Sequence, residues 1–208
     1  MFVHVLPARA QSNLATIAGT ALASLFYLAG GTAVVLHLGH RLSYDLDFFT
    51  LQPFPPDLPR RTLSPLGQLK IDQESEGTFL GIFNDLRVSF FIYHYPLLET
   101  PVWCEGIQVA GLADLAAMKL DAISSRGKKR DFVDLHHICQ RAFPLAQAIA
   151  FFEQRYKGVQ YSKVHLFKSL VYFADAEEDA PPKMLVPFDW AETKQFFEDE
   201  VQRLMREL

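Results

Sequence analysis

Cysteine is nearly missing from this sequence. Its 208 residues contain only Cys104 and Cys139, with no second CxxC and no His pair at zinc spacing. That argues against a disulfide framework and a structural zinc site, and it suits a reduced, cytoplasmic setting. Net positive charge is lacking too: 24 Asp and Glu outnumber 20 Lys and Arg, for a formal charge of −4. No global field therefore draws the protein onto nucleic acid, and any such contact needs a local patch. Between Arg9 and Arg41 there is no charged side chain at all, a stretch long enough to span a bilayer. Gly19, Gly30, Gly31, Gln11, Asn13, His37 and His40 interrupt it, however, so the expected form is a buried core element and no membrane span.

What is present points to a packed interior. Half of the residues are hydrophobic and 18 are phenylalanine, enough to bury a core in one domain or two small lobes. Leu14, Ile17, Ala18, Ala21, Leu22 and Leu25 recur at helical spacing, which predicts one packing helix over 12–25. Residues 26–29 read as a short buried strand running into Gly30-Gly31-Thr32, and 33–38 as a brief helix ending near Gly39. Residues 43–50 alternate as a second strand, with Asp45, Asp47 and Phe49 on one face. A proline-rich connection follows, then a meander of strands over 68–75, 78–83 and 86–93. Past Pro96 a short strand at 107–110 precedes helical patterns over 112–124, 128–140, 144–156, 162–174 and 191–206. The fold class is α+β, a mixed sheet with flanking helices followed by a helical lobe, with domains expected at 1–110 and 111–208.

The chemistry gathers around the two acids. Two carboxylates two apart on a strand project from one face, about 6.5–7 Å apart. Both can reach one divalent ion or a close pair, the arrangement phosphoryl transfer requires. A lone Asp-x-Asp is more often a solvated pair at a strand edge. The balance shifts because Gly30-Gly31-Thr32 lies just upstream between a strand and a helix. There the glycines let the backbone approach a phosphate, and the helix N-terminus favours its charge.

Four blocks in order carry a family resemblance: Leu28-Ala29-Gly30-Gly31-Thr32-Ala33; Gly39 to Phe49; Asp114 to Ile123; and Arg126 to Leu135. With these the chain resembles the AbiEii/AbiGii toxin-type nucleotidyltransferases of the polymerase-β superfamily. The resemblance implies a polymerase-β-like fold and an enzyme that moves a nucleoside monophosphate from a nucleoside triphosphate to an acceptor, RNA of the transfer-RNA kind or protein. It implies Mg2+, or Mn2+, held by Asp45 and Asp47. Gly30, Gly31, Thr32, Arg41, Ser43, Lys119 and Arg130 would bind the nucleotide, and Asp134, or second Asp131, would be a catalytic acid alongside Lys119. It further implies a toxin of a toxin–antitoxin or phage-defence system, with an antitoxin encoded nearby.

On the residues alone these assignments have competitors. Lys119 sits on an apolar helix where a lysine often only snorkels. Asp131 and Asp134 share a helix face and could pair with Arg130 or Lys128. His136 and His137 read as packing residues before bases or ligands. The run Arg126, Lys128, Lys129, Arg130 is the one dense positive cluster, suited to guiding RNA or to forming a solvated loop. Polymerase-type relatives carry a third carboxylate on the strand after the acid pair. The matching positions are Ser89 or Arg87, which leaves Asp134, Asp131, Asp72 or Glu74 to supply it, or a single metal to suffice. A catalytically inactive nucleotide- or RNA-binding module, or a transferase acting on a small antibiotic-type molecule, therefore stays open beside the toxin enzyme.

Overall fold

The charge-free stretch folds as four short elements instead of one rod. In the computed structural model, which describes residues 1–206, α1 (Ala8–Ala18) ends at Gly19 and α2 (Leu22–Leu25) follows a turn. β1 (Tyr27–Ala29) and α3 (Gly30–Leu38) complete it. The single helix expected over 12–25 is thus broken. The Thr20 hydroxyl donates to the Ile17 carbonyl at 2.7 Å and accepts from the Leu22 amide at 3.2 Å, a local bond that competes with the helical ladder. Among the described residues no helix is long and apolar enough to cross a membrane.

β2 (Leu46–Thr50) is shorter than the strand expected from residue 43. The proline-rich connection is not bare loop: it holds α4 (Leu58–Leu63), with Pro59 in its first turn, where a missing N–H costs nothing. β3 (Leu69–Ser75), β4 (Thr78–Phe83) and β5 (Leu86–Ile92) form the expected meander. β6 (Val102–Cys104) pairs with β7 (Ile107–Val109) in a hairpin whose first strand the pattern did not show. Together they make one seven-stranded mixed sheet in the order β3-β4-β5-β2-β1-β7-β6. β3 lies at one edge, exposed along nearly its whole length, with Lys70, Asp72, Gln73 and Glu74 outward and an irregularity between Ile71 and Gln73.

Alternation along β2 buries Leu46, Phe48 and Thr50 and leaves Asp47 and Phe49 partly open. On the buried face Phe48 stacks on Phe90 at 5.0 Å, and Phe26 meets Phe90 edge-on at 5.1 Å. This aromatic cluster fixes the register of the strand that carries Asp47.

The sheet and its helices form one compact unit, Met1–Gly111, and the second unit begins at Leu112; its final residues, 207 and 208, lie outside the described residues. It is built from α5 (Leu112–Arg126), α6 (Lys129–Arg141), α7 (Leu145–Arg155), α8 (Lys163–Leu170), α9 (Ala174–Glu177) and α10 (Trp190–Met205). The helix expected over 162–174 is two, α8 and α9. α5 packs on α6, α7 and α8, and a buried ion pair between Asp114 and Arg155 joins it to α7. Phe132 centres the remaining core, with Phe173, Phe197 and Trp190 around it at 5.2, 5.5 and 6.0 Å.

Candidate active site

β1 runs antiparallel to β2 with Ala29 opposite Asp47, so the chain enters α3 directly beside the second acid. Gly30 turns there at φ +67°, and a Cβ on it would lie 2.8 Å from Asp47 Oδ2. Only glycine takes that turn without strain and lets the carboxylate come so close to the backbone. A Cβ on Gly31 would lie 2.6 Å from Arg41 Nη2 and 3.4 Å from Ser43 Oγ. The N-cap residue of α3 is Ala29, which has no side-chain acceptor to offer its first N–H groups. A helix start of this kind, with Gly30 and Gly31 partly exposed, is the sort of place where backbone N–H groups and the positive end of the dipole can meet an anion.

Thr32 works inside the protein. It is buried, shares a hydrogen bond with Ser43 Oγ at 2.8 Å, and donates to the Asp45 carbonyl. That attachment to α3 takes residues 43–45 out of the strand and leaves Asp45 just ahead of β2. Arg41 is buried as well, and its Nη1 donates to the Leu42 carbonyl at 2.8 Å. Glycine turn, arginine, serine and acid pair thus form one connected local structure.

Asp45 and Asp47 are half-buried. Two carboxylates beside a helix start could hold a divalent ion that arrives with phosphate oxygens as its other ligands. Among the described residues no three His, Cys, Asp or Glu converge into a closed metal cage. On β5 the residue in register with Asp47 is Ser89, buried against it in the sheet. Asp72 and Glu74 do not supply the third carboxylate. β3 lies three strands away from β2, about 14 Å at ordinary strand spacing, and Glu74 accepts Arg60 Nε at 2.9 Å.

In the second unit the motif lysine is enclosed. Lys119 is 4% exposed and Asp131 and Asp134 are at 0%; its Nζ lies 2.7 Å from Asp131 Oδ1 and 2.6 Å from Asp134 Oδ2. Arg126 Nε adds a bond to Asp131 Oδ2 at 3.0 Å. Burial pushes the Asp131 carboxyl up, but Lys119 and Arg126 outweigh it and hold the group below its usual range. The i, i+3 spacing on α6 presents both acids to one ammonium on α5.

The basic run divides. Arg130 and Lys128 are exposed, and Lys128 Nζ lies 3.2 Å from Asp179. Lys129 is buried: its amide donates to Asp179 Oδ2 at 2.9 Å, its Nζ donates to the Asp179 carbonyl at 2.7 Å, and it sits 5.3 Å over the Trp190 ring. It serves the packing of the unit and does not belong to a solvated loop. His136 packs 4.8 Å from Phe196 and its Nδ1 lies 3.2 Å from Thr193 Oγ1. Burial lowers its basicity, as in a packing residue.

Replacing Gly30 by alanine should cost about 1–2 kcal/mol from the left-handed turn and should also displace Asp47. The expected outcome is a modest drop in melting temperature with a larger loss of nucleotide affinity, read by thermal shift with and without triphosphate. An alanine variant with native affinity would remove the turn from the site.

A putative nucleotidyltransferase from Helicobacter pylori matches this structure over 96% of the chain and 92% of its own, with TM-score 0.57 and 22% identity. MenT4, a nucleotidyltransferase toxin from Mycobacterium tuberculosis, matches over 96% and 86%, with TM-score 0.54 and 15% identity. The fold is that of the polymerase-β-like nucleotidyltransferases. An uncharacterized protein of Aquifex aeolicus is 37% identical over 185 residues, 86% of this chain and 88% of its own. The family described as "Nucleotidyl transferase AbiEii toxin, Type IV TA system" matches residues 14–78 and 91–207, and the chain belongs to that nucleotidyltransferase family. The interval between the two matched stretches covers most of β4 and the part of β5 that bears Ser89.

Proposed function

We propose that the protein transfers a nucleoside monophosphate from a nucleoside triphosphate to an RNA acceptor, as the toxin of a pair whose antitoxin is encoded nearby. The observation that carries this reading is the close approach of Asp47 to the Gly30 backbone at the start of α3. Triphosphate oxygens would lie on the N–H groups of Gly30, Gly31 and Thr32, with Arg41 supporting the phosphate from beneath Gly31. Asp45 and Asp47 would hold Mg2+ or Mn2+, which when bound supplies charge neutralisation on the phosphates and acidifies the attacking hydroxyl. The chain's own part is to orient: the Thr32–Ser43–Asp45 network keeps the acid pair at a fixed distance from the phosphate-binding amides. RNA is favoured as acceptor because Arg126, Lys128 and Arg130 are exposed in the one dense basic run of an acidic chain.

Incubation with each α-labelled triphosphate, Mg2+ or Mn2+, and total RNA or cell lysate tests the reading. The expected result is label on an RNA species. Triphosphate binding without any transfer would replace the enzyme with a nucleotide-binding module, the reading that Ser89 in place of a carboxylate favours. Label on a polypeptide or a small hydroxyl compound would replace the acceptor.

A further inference from the structure

A cavity of about 510 Å³ in the second unit is lined by none of the residues proposed to bind nucleotide or metal. It lies between the last turn of α5 with Gly127, the outer side of α8, and the segment leading into α9. His165 on α8 holds the two walls together, its Nε2 lying 3.2 Å from the Ser124 carbonyl. Buried Ile123 gives it an apolar base, and exposed Val171 adds apolar surface to its lining. Exposed Lys168 and Arg126 line it, and Tyr172 also lines it while remaining 57% exposed. Asp131 fixes the Arg126 guanidinium from below at 3.0 Å. Among the described residues no carboxylate is ion-paired with Lys168, and Asp175 is the one acid in the lining.

A flat ring on an apolar base beside two cations matches one chemistry closely: a planar base that stacks on the phenol, joined to a phosphate that the cations take. An acidic peptide would use the cations and leave the tyrosine face idle. Tyr172, Lys168 and Arg126 are all exposed, whereas a small-molecule site encloses most of its ligand, so one nucleotide of a continuing strand suits the groove better than a free nucleotide. We propose that this groove holds an unpaired nucleotide of the acceptor RNA, its base on Tyr172 and its phosphate at Lys168 and Arg126. The inference rests on the RNA-acceptor reading above.

The test uses the full chain and a fluorescent RNA hairpin with a short unpaired 3′ tail, beside its blunt counterpart and a free nucleoside monophosphate. The native protein is expected to bind the tailed hairpin at least about tenfold more tightly than the blunt one. Tyr172→Ala should cost about tenfold in tailed-hairpin affinity, and Lys168→Ala should flatten the logarithmic salt dependence by about one. Both positions are exposed, and unchanged melting temperatures will show that the fold is kept. Native-like hairpin affinity and salt slope in both variants overturn the groove, as does a nucleoside monophosphate that binds as tightly as the tailed hairpin. Label transfer to RNA by the native protein is measured in parallel. Transfer with unchanged KM in the variants sinks the groove and keeps the acceptor reading. Neither binding nor labelling of RNA, with label on a polypeptide, sinks both.

Discussion

Replacing Asp47 with asparagine is expected to bring nucleotide transfer down by at least ~10²–10³-fold, the scale on which preorganised charge at a reacting phosphate contributes, and to leave the melting temperature near native. Geometry is the reason. Asp47 is opposite Ala29 in the β1–β2 register and lies within contact range of Gly30, so its charge sits where α3 begins. Asparagine keeps the shape and removes the charge. Asp47 is only half-buried, and asparagine keeps an oxygen acceptor of the same shape at its position, so little folding energy is withdrawn. Transfer and Mn2+ binding followed side by side give the check: both should fail together. An asparagine variant that unfolds would make Asp47 a structural residue, and one that transfers normally would move the active site elsewhere.

For Lys119→Met the expected loss is first of stability and second of activity, about 3–5 kcal/mol, as for removing one partner of a buried ion pair. The methionine fills the space of the lysine stem but withdraws the ammonium that Asp131 and Asp134 share. Combining it with Asp131→Asn should recover part of the loss, since the double variant no longer buries that charge beside an apolar side chain. The native cluster also has a pH signature. Asp131 titrates below its ordinary value of 3.8 in the folded protein, so its contribution is complete above that value and is lost as pH falls through the lower folded one. Melting temperature followed from neutral pH downward should therefore hold until about pH 4 and then fall, with the fall beginning at higher pH in Lys119→Met. If the variant melts like the native protein and only triphosphate affinity drops, the lysine holds phosphate and the buried cluster carries little weight in folding.

These two residues also mark how far the sequence could be read. The strand bearing Asp47 was legible because Leu46, Phe48 and Thr50 alternate with it at period two and are buried. Its start was not: the Asp45 carbonyl is taken by Thr32, a partner thirteen residues away that no local pattern shows. Helical spacing ran unbroken from Leu14 to Leu25, and a single threonine hydroxyl ended the helix in the middle of it. The polar partners of Lys119 were equally hidden, since spacing places Asp131 and Asp134 on one face of α6 but does not say what that face meets. The α8 groove had no sequence signal, because Lys168 and Tyr172 form no motif and owe their proximity to α5 to packing alone. The family blocks singled out the glycine turn, the acid pair and the lysine together, and of the two positions left open on the following strand, Ser89 and Arg87, it is Ser89 that lies in register with Asp47.

The outer edge of the sheet bears on a different property. β3 faces solvent with Lys70, Asp72, Gln73 and Glu74 and with a break in its register, and such an edge is a poor template for another strand, since docking would desolvate charges and meet a mismatched ladder. At the opposite end β6 offers only three residues. Val102 and Trp103 are exposed on that short strand, so protection against edge pairing rests on the charged β3 border, and neutralising β3 should be felt as aggregation before it is felt as lost activity.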